Sequence, residues 1–207
     1  MSEVLGLRER KKLRTRHALI AAALRLFTEK GYEETTISEI ATAADVSTRT
    51  FFSYFASKED VVFHNSRAGL DRALAVIAGH GPGDRAVDLL ERAIDAGFAL
   101  LAVDEDLRRE MTPINHLVMT VPSLRARALL MLFDSQRELA EALHRACPGE
   151  LDLVEAAAAV GAVVGGGKLA ALTSMNAGAS AEETLRAGRR ATEFVLAGLR
   201  AGLPAVR

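Results

Sequence analysis

Thr48, Arg49, Thr50, Ser53 and Tyr54 fall within seven residues of one another, on a stretch with the pattern of a short helix. Small hydroxyls and a guanidinium on one helix are the groups that read base edges in the major groove, which admits a single helix and presents paired donors and acceptors. Val46, Phe51 and Phe55 have the spacing of an inward anchor for the same helix. No comparable set supports catalysis. His17, His64, His80, His116 and His144 are scattered without metal-ligand spacing, and Cys147 stands alone. There is no Gly-x-Ser-x-Gly elbow, and Gly165, Gly166 and Gly167 lack the Lys-Ser/Thr sequel of a phosphate loop. The expectation is therefore no catalytic residue, no metal and no cofactor, in a protein that is not an enzyme.

Such a reader must be held by other elements. Residues 11–30 place Leu13, His17, Ile20, Ala21, Leu24 and Phe27 at spacings of three and four, which predicts an amphipathic helix ended by Gly31. Thr36-Ile37-Ser38-Glu39 is a capping box opening a second helix that runs to residue 43 or 44. Asp45-Val46 makes the turn, Ala41 is small enough for a close helix crossing, and Ser47 caps a third helix over residues 48–55. Ser57 caps a fourth, with Glu59 and Asp60 in its first turn. The capped start of the second helix, at Thr36 and Ser38, aims backbone amides toward a phosphate, and Lys58 offers a cation past the recognition helix. Arg14 lies in a run, residues 8–17, with six Lys/Arg against one Glu, which suits sequence-independent contacts that weaken with salt.

Net charge is −1 over 207 residues, so that local excess, not the overall balance, points to the partner. Hydrophobic residues make up 49% of the chain and aromatics only 5%, with Ala and Leu dominant, which predicts an all-α protein. Beyond residue 60 the pattern changes to long Ala/Leu-rich helices, over residues 58–78, 84–103, 105–111, 122–146, 151–175 and 181–201. That gives about nine helices and two domains: residues 1–57, a three-helix helix-turn-helix, and residues 58–207, a larger helical body. The start of the chain lacks the apolar core of a secretory signal, and residues 154–175, the most apolar stretch, contain Glu155 and Lys168. No membrane span and a cytoplasmic location are expected.

The stretch LFTEKGYEETTISEIATAADVSTRTFFSYFASKEDVV resembles the DNA-binding motif of the tetracycline-repressor (TetR) family along its whole length. The resemblance implies operator contacts from Thr36, Ser38, Ser47, Thr48, Arg49, Thr50, Phe52, Ser53, Tyr54 and Lys58, with base reading concentrated in residues 48–54. Phe52 stands where many relatives carry a Tyr, so it is left to pack or to touch a thymine methyl. Asp45 stands where Gly is more usual. The RTFFSYF variant is similar to a branch that includes mycofactocin-associated regulators, some of which respond to acyl-coenzyme A thioesters. By the same resemblance the remaining helices form an effector pocket and a homodimer interface, and the protein represses transcription from a palindromic operator on double-stranded DNA until a small, largely apolar effector releases it.

Within residues 58–207, Phe98, Leu101, Met111, Met119 and Phe133 supply a flexible apolar lining for such a pocket, with Asn115 and His116 as polar handles, although apolar residues at this spacing also make plain core. Gly161, Gly165, Gly166 and Gly167 each cost a helix about 1 kcal/mol against Ala. Either close helix–helix contact, across a dimer axis or beside a ligand, or a local kink accounts for them. A small helical enzyme, or an architectural DNA-binding protein without a sensor, are the rival readings. The first lacks a reactive set, and the second leaves the long apolar-rich remainder without a purpose.

Overall fold

The computed structural model describes residues 6–103 and 105–202, and of residues 100–103 and 106–108 it describes the backbone only. The described residues form ten helices and no strand: α1 (Leu7–Glu29), α2 (Ile37–Ala43), α3 (Thr48–Phe52), α4 (Lys58–Val62), α5 (Ser66–Ala78), α6 (Ala86–Val103), α7 (Glu105–Thr120), α8 (Pro122–Ala146), α9 (Leu153–Asn176) and α10 (Ala181–Gly202). They divide into two compact units. The first holds the residues up to His64 together with Thr112–Ala126; the second holds Asn65–Met111 and the residues from Arg127 onward.

In the first unit the core is Leu19, Ile20, Ala23, Leu24 and Phe27 of α1, Ile40 and Ala41 of α2, Phe51, Phe55, Val61 and Val62, closed by Leu117 and Leu124. The buried face of α1 is thus rotated from the expected one, and Leu13, His17 and Ala21 are exposed. The reason is tertiary. The buried residues of α1 begin at Leu19, so its basic first half stands clear and hydrophobic pattern alone misplaces the stripe. Gly31, at φ 96°, ends α1 as expected, and the buried Thr35 hydroxyl donates to Gly31 O at 2.7 Å, holding the turn that follows the helix.

Three predicted boundaries are overturned. The helix expected over 48–55 ends at Phe52, where the Ser53 and Tyr54 N–H groups turn back to Thr50 O and Phe51 O. The helix expected over 58–78 is two helices, because Arg16 Nη2 donates to His64 O at 3.0 Å and the Ala68 N–H, which a continuous helix would direct to that carbonyl, bonds Asn65 O instead. The helix expected to stop at residue 111 continues through Pro113 to Thr120. Pro113 removes one backbone donor, but Leu117 beyond it is buried, and packing of that side chain outweighs the local break. Pro122 then sits at the first position of α8, where its missing N–H costs nothing.

The second unit packs α5 on α6 and α9 on α10, around Ile77, Leu89, Leu90, Leu143, Val160, Val163 and Leu196. Glu150 accepts from Ala86 N–H at 2.8 Å, so the start of α6 is capped from the loop before α9. Asp152 and Glu155 form a reciprocal capping box at the start of α9. α9 then runs uninterrupted through its glycines. A methyl on Gly167 would lie 2.6 Å from Thr192 Cγ2 of α10, so this glycine permits close helix–helix approach within the unit, while Gly161 and Gly165 have nothing within 4 Å of that position. α9 is long and apolar enough to cross a membrane on length and composition alone, a test that the core helix of a soluble protein also passes.

Candidate nucleic-acid interface

The turn between α2 and α3 is built as the residue types require. Asp45 takes φ 54°, the left-handed conformation that Asp tolerates, and Val46 N–H reaches back to Ala41 O at 2.9 Å. Ala41 is buried and Val46 half-buried, so a larger side chain at 41 would push the two helices apart. Ser47 Oγ accepts from Thr50 N–H at 3.1 Å and lies 2.9 Å from the Thr50 hydroxyl, which fixes the first turn of α3. Phe51, fully buried, packs edge-on to Phe52 and tilted against Phe55, with ring centroids 5.6 and 5.8 Å apart. Burial of Phe51 fixes the rotation of α3, leaving Thr48, Arg49 and Ser53 exposed with Phe52 57% exposed beside them.

Among the described residues, the Arg49 guanidinium and the Thr48 hydroxyl have no partner, so both are available to a ligand. Thr50 is half-buried and engaged with Ser47, and Ser53 Oγ donates to Arg49 O at 3.1 Å, leaving its acceptor side open. Tyr54 is half-buried against the core, a pivot more than a projecting group.

At the start of α2, Thr36 Oγ1 accepts from Glu39 N–H at 3.2 Å, and Glu39 Oε2 accepts from Thr36 N–H at 2.9 Å, completing the expected capping box. Lys30 Nζ donates to Glu39 Oε1 at 2.5 Å and ties the end of α1 to α2. That hydrogen bond, with the two from Thr36, holds the Glu39 carboxyl at a pKa of about 2, well below the ordinary carboxylate range. Thr36 and Ser38 are exposed at this helix start.

Lys58 has a different role from a free phosphate contact. Its ammonium donates to Tyr32 O at 2.7 Å, Glu33 O at 3.2 Å and Thr35 O at 3.4 Å, and it lies 4.3 Å from the Tyr32 ring centroid. It therefore fixes the turn that delivers α2. Arg16 is likewise turned inward, onto His64 O and over the Phe55 ring, whereas Arg14 is exposed with no partner among the described residues. The signal that could have separated Arg16 from its basic neighbours is its spacing: three residues before the buried Leu19, it borders the core stripe.

The pocket candidates are divided between the units. Asn115, His116 and Met119 belong to the first; Phe98 and Met111 are half-buried in the second, and Phe133, on the second, is 68% exposed beside Leu129 and Leu130. The Leu101 side chain lies outside the described residues.

Residues 19–64 match the sequence profile of the family described as bacterial regulatory proteins, tetR family. The chain is 43% identical over 91 residues to the HTH-type transcriptional regulator TcmR of Streptomyces glaucescens, a match covering 44% of this chain and 40% of that protein. It is 34% identical over 135 residues to the HTH-type transcriptional regulator HbdR of Aromatoleum sp. (strain CIB), covering 64% of this chain and 57% of that one. The matched stretches thus span about half the length of these relatives. Over a longer span, the fold resembles the crystal structure of the transcriptional regulator FadR from Bacillus subtilis in complex with stearoyl-CoA, with a TM-score of 0.54, 22% identity, and coverage of 87% of this chain and 97% of that one.

Proposed function

We propose that the chain, whose residues 19–64 match the tetR family of bacterial regulatory proteins, is a dimeric transcription regulator of that family that reads a palindromic operator with α3 and is released by a small molecule. The observation that carries the reading is the exposure of Thr48 and Arg49, without partners among the described residues, on a helix whose rotation is fixed by the buried Phe51. Arg49 is the principal base contact. Thr48, Ser53 and Phe52 complete the reading face, Ser47 and Thr50 shape it, and Tyr54 borders it. Thr36, Ser38 and Arg14 meet phosphates, and Lys58 acts by holding the turn ahead of α2.

Division of labour follows the chain, with DNA reading in residues 1–57 and effector binding and pairing in residues 58–207. Two copies pair through α9 and α10, on which Val154, Leu169 and Phe194 are 77%, 67% and 81% exposed. Large apolar side chains left open on adjacent helices favour burial against a second copy. Pairing sets two α3 helices about one DNA turn apart, roughly 34–36 Å. An effector shifts operator affinity by its differential affinity for the conformations that fit and do not fit that spacing, which lifts repression. The work of such a protein is cytoplasmic and needs no catalytic group.

Selection of bound sequences from a randomised duplex library tests this. The expected product is a pair of inverted half-sites at one-turn spacing, with affinity that falls steeply as salt rises. Recovery of no common sequence, or of single-stranded ligands, overturns it.

A further inference from the structure

Phe27, Phe51 and Phe55 are buried in the core of the first unit. Phe52 is 57% exposed, and among the described residues of that unit beyond α1 it is the large apolar side chain left open. The ring is nevertheless held. Its edge-on partner, with centroids 5.6 Å apart and planes at 87°, is Phe51, which the surrounding core keeps in place. Helical spacing puts Thr48 and Arg49, four and three residues earlier, on the same side of α3, and both are exposed. An apolar ring oriented by the core thus stands among the groups that face a duplex.

What that ring can recognise follows from what it lacks. With no donor or acceptor, it would strip water from a phosphate oxygen or a polar base edge and return no hydrogen bond. A single ring bordered by Thr48, Arg49 and Ser53, all exposed, is also too small and too polar at its rim to dock another protein. In the major groove the apolar group on a base edge is the C5 methyl of thymine. Methylated cytosine carries the same group on the same carbon, whereas uracil and cytosine lack it. Geometry sets where the contact falls. With α3 lying along the groove and rising about 1.5 Å per residue, Phe52 is about 4.5 Å beyond Arg49, against a base step of about 3.4 Å. The methyl is therefore one step, or at most two, from the base pair that Arg49 reads.

We propose that Phe52 is a specificity-determining residue that selects the C5 methyl of a pyrimidine beside the Arg49 base pair, so that operator binding distinguishes thymine from uracil and 5-methylcytosine from cytosine. This rests on the operator reading above and adds an apolar element to its polar one. Burying one methyl against the ring contributes roughly a fourfold preference in each half-site, and roughly fifteenfold over a symmetric pair. Arg49 sets the neighbouring base pair, and the ring reports whether a methyl stands next to it.

The test uses the full chain and duplexes carrying the sequence recovered by selection, with binding followed by fluorescence anisotropy at one salt concentration. Arg49→Ala first marks the reference base pair, as the position where preference relaxes. At thymines within two steps of it, two matched pairs then differ by the methyl alone: dT against dU opposite dA, and 5-methyl-dC against dC opposite dG, placed in both half-sites. At one such position the wild type is expected to favour the methylated member of each pair roughly fifteenfold. Phe52→Leu is expected to keep part of that preference, and Phe52→Ala to bind both members alike. A wild type that binds the members of either pair equally, or a preference that persists in Phe52→Ala, overturns the proposal and leaves the operator reading intact. A recovered half-site with no thymine in that window does the same. If selection recovers no common sequence, or Arg49→Ala relaxes no position, the operator reading fails and the proposal with it.

Discussion

The two compact units use small residues and hydroxyls in opposite ways. In the first, three helices of five to seven residues each begin at a Thr or Ser whose side chain accepts a backbone N–H, so polar atoms fix where every short element starts. In the second, α9 and α10 run for 24 and 22 residues, and the determinants of packing are absences, Gly167 and Gly188, where two backbones approach. The surface on which Thr48 and Arg49 are exposed is built from caps and buried rings. The second unit is built from long helices whose backbones approach at glycines. Capped short helices and glycine-mediated helix crossings thus leave different chemical signatures in one chain.

The sharpest way to break this contrast is at the ring that orients α3. Phe51→Ala is expected to cost about 3–5 kcal/mol of stability, while Phe52→Ala, its exposed neighbour, is expected to stay within about 0.5 kcal/mol of wild type and to weaken duplex binding. Urea unfolding of the two variants checks it; similar losses would mean that α3 is rotated from the orientation described. The matching comparison in the second unit is smaller. Gly167→Ala forces Thr192 and the α10 backbone to yield and is expected to destabilise by about 1–3 kcal/mol, whereas Gly165→Ala is expected to stabilise by about 0.5–1 kcal/mol. Thermal unfolding that ranks them the other way would remove the α9–α10 crossing from the account.

The smallest effect concerns pH. Glu39 is held at about 2, so its contribution to stability is complete above the ordinary carboxylate pKa of 4.5 and is lost as pH falls from there through 2. The difference in unfolding midpoint between wild type and Glu39→Gln is therefore expected to be constant at neutral pH and to narrow across that acid range. A difference that widens in acid would show that the Lys30 and Thr36 contacts do not persist in solution.

How much was legible in the sequence follows the same division. Caps and turns are local chemistry, so Thr36, Ser47, Ser57, Gly31 and Asp45 could be read directly, and the recognition helix with them. What escaped depended on partners remote in sequence. The carbonyl of His64 is taken by Arg16, 48 positions away, and that broke a helix whose own pattern was continuous. Lys58 looked like a surface cation because the three carbonyls it serves lie 23 to 26 positions earlier. Pro113 was read as a stop since the burial of Leu117 is a tertiary fact. In the second unit, glycine in a helix signals that something comes close without saying what, and only the geometry separates Gly167, against Thr192, from Gly165, facing open space.

Substitution of Arg49 on a duplex recovered by selection tests the central claim most directly. Arg49→Ala is expected to cost about 1–3 kcal/mol in binding, to relax base preference at one position in each half-site, and to leave folding and pairing unchanged. Unchanged affinity and selectivity in that variant would contradict the account, since the one guanidinium on the exposed face of α3 would then have no part in reading the site.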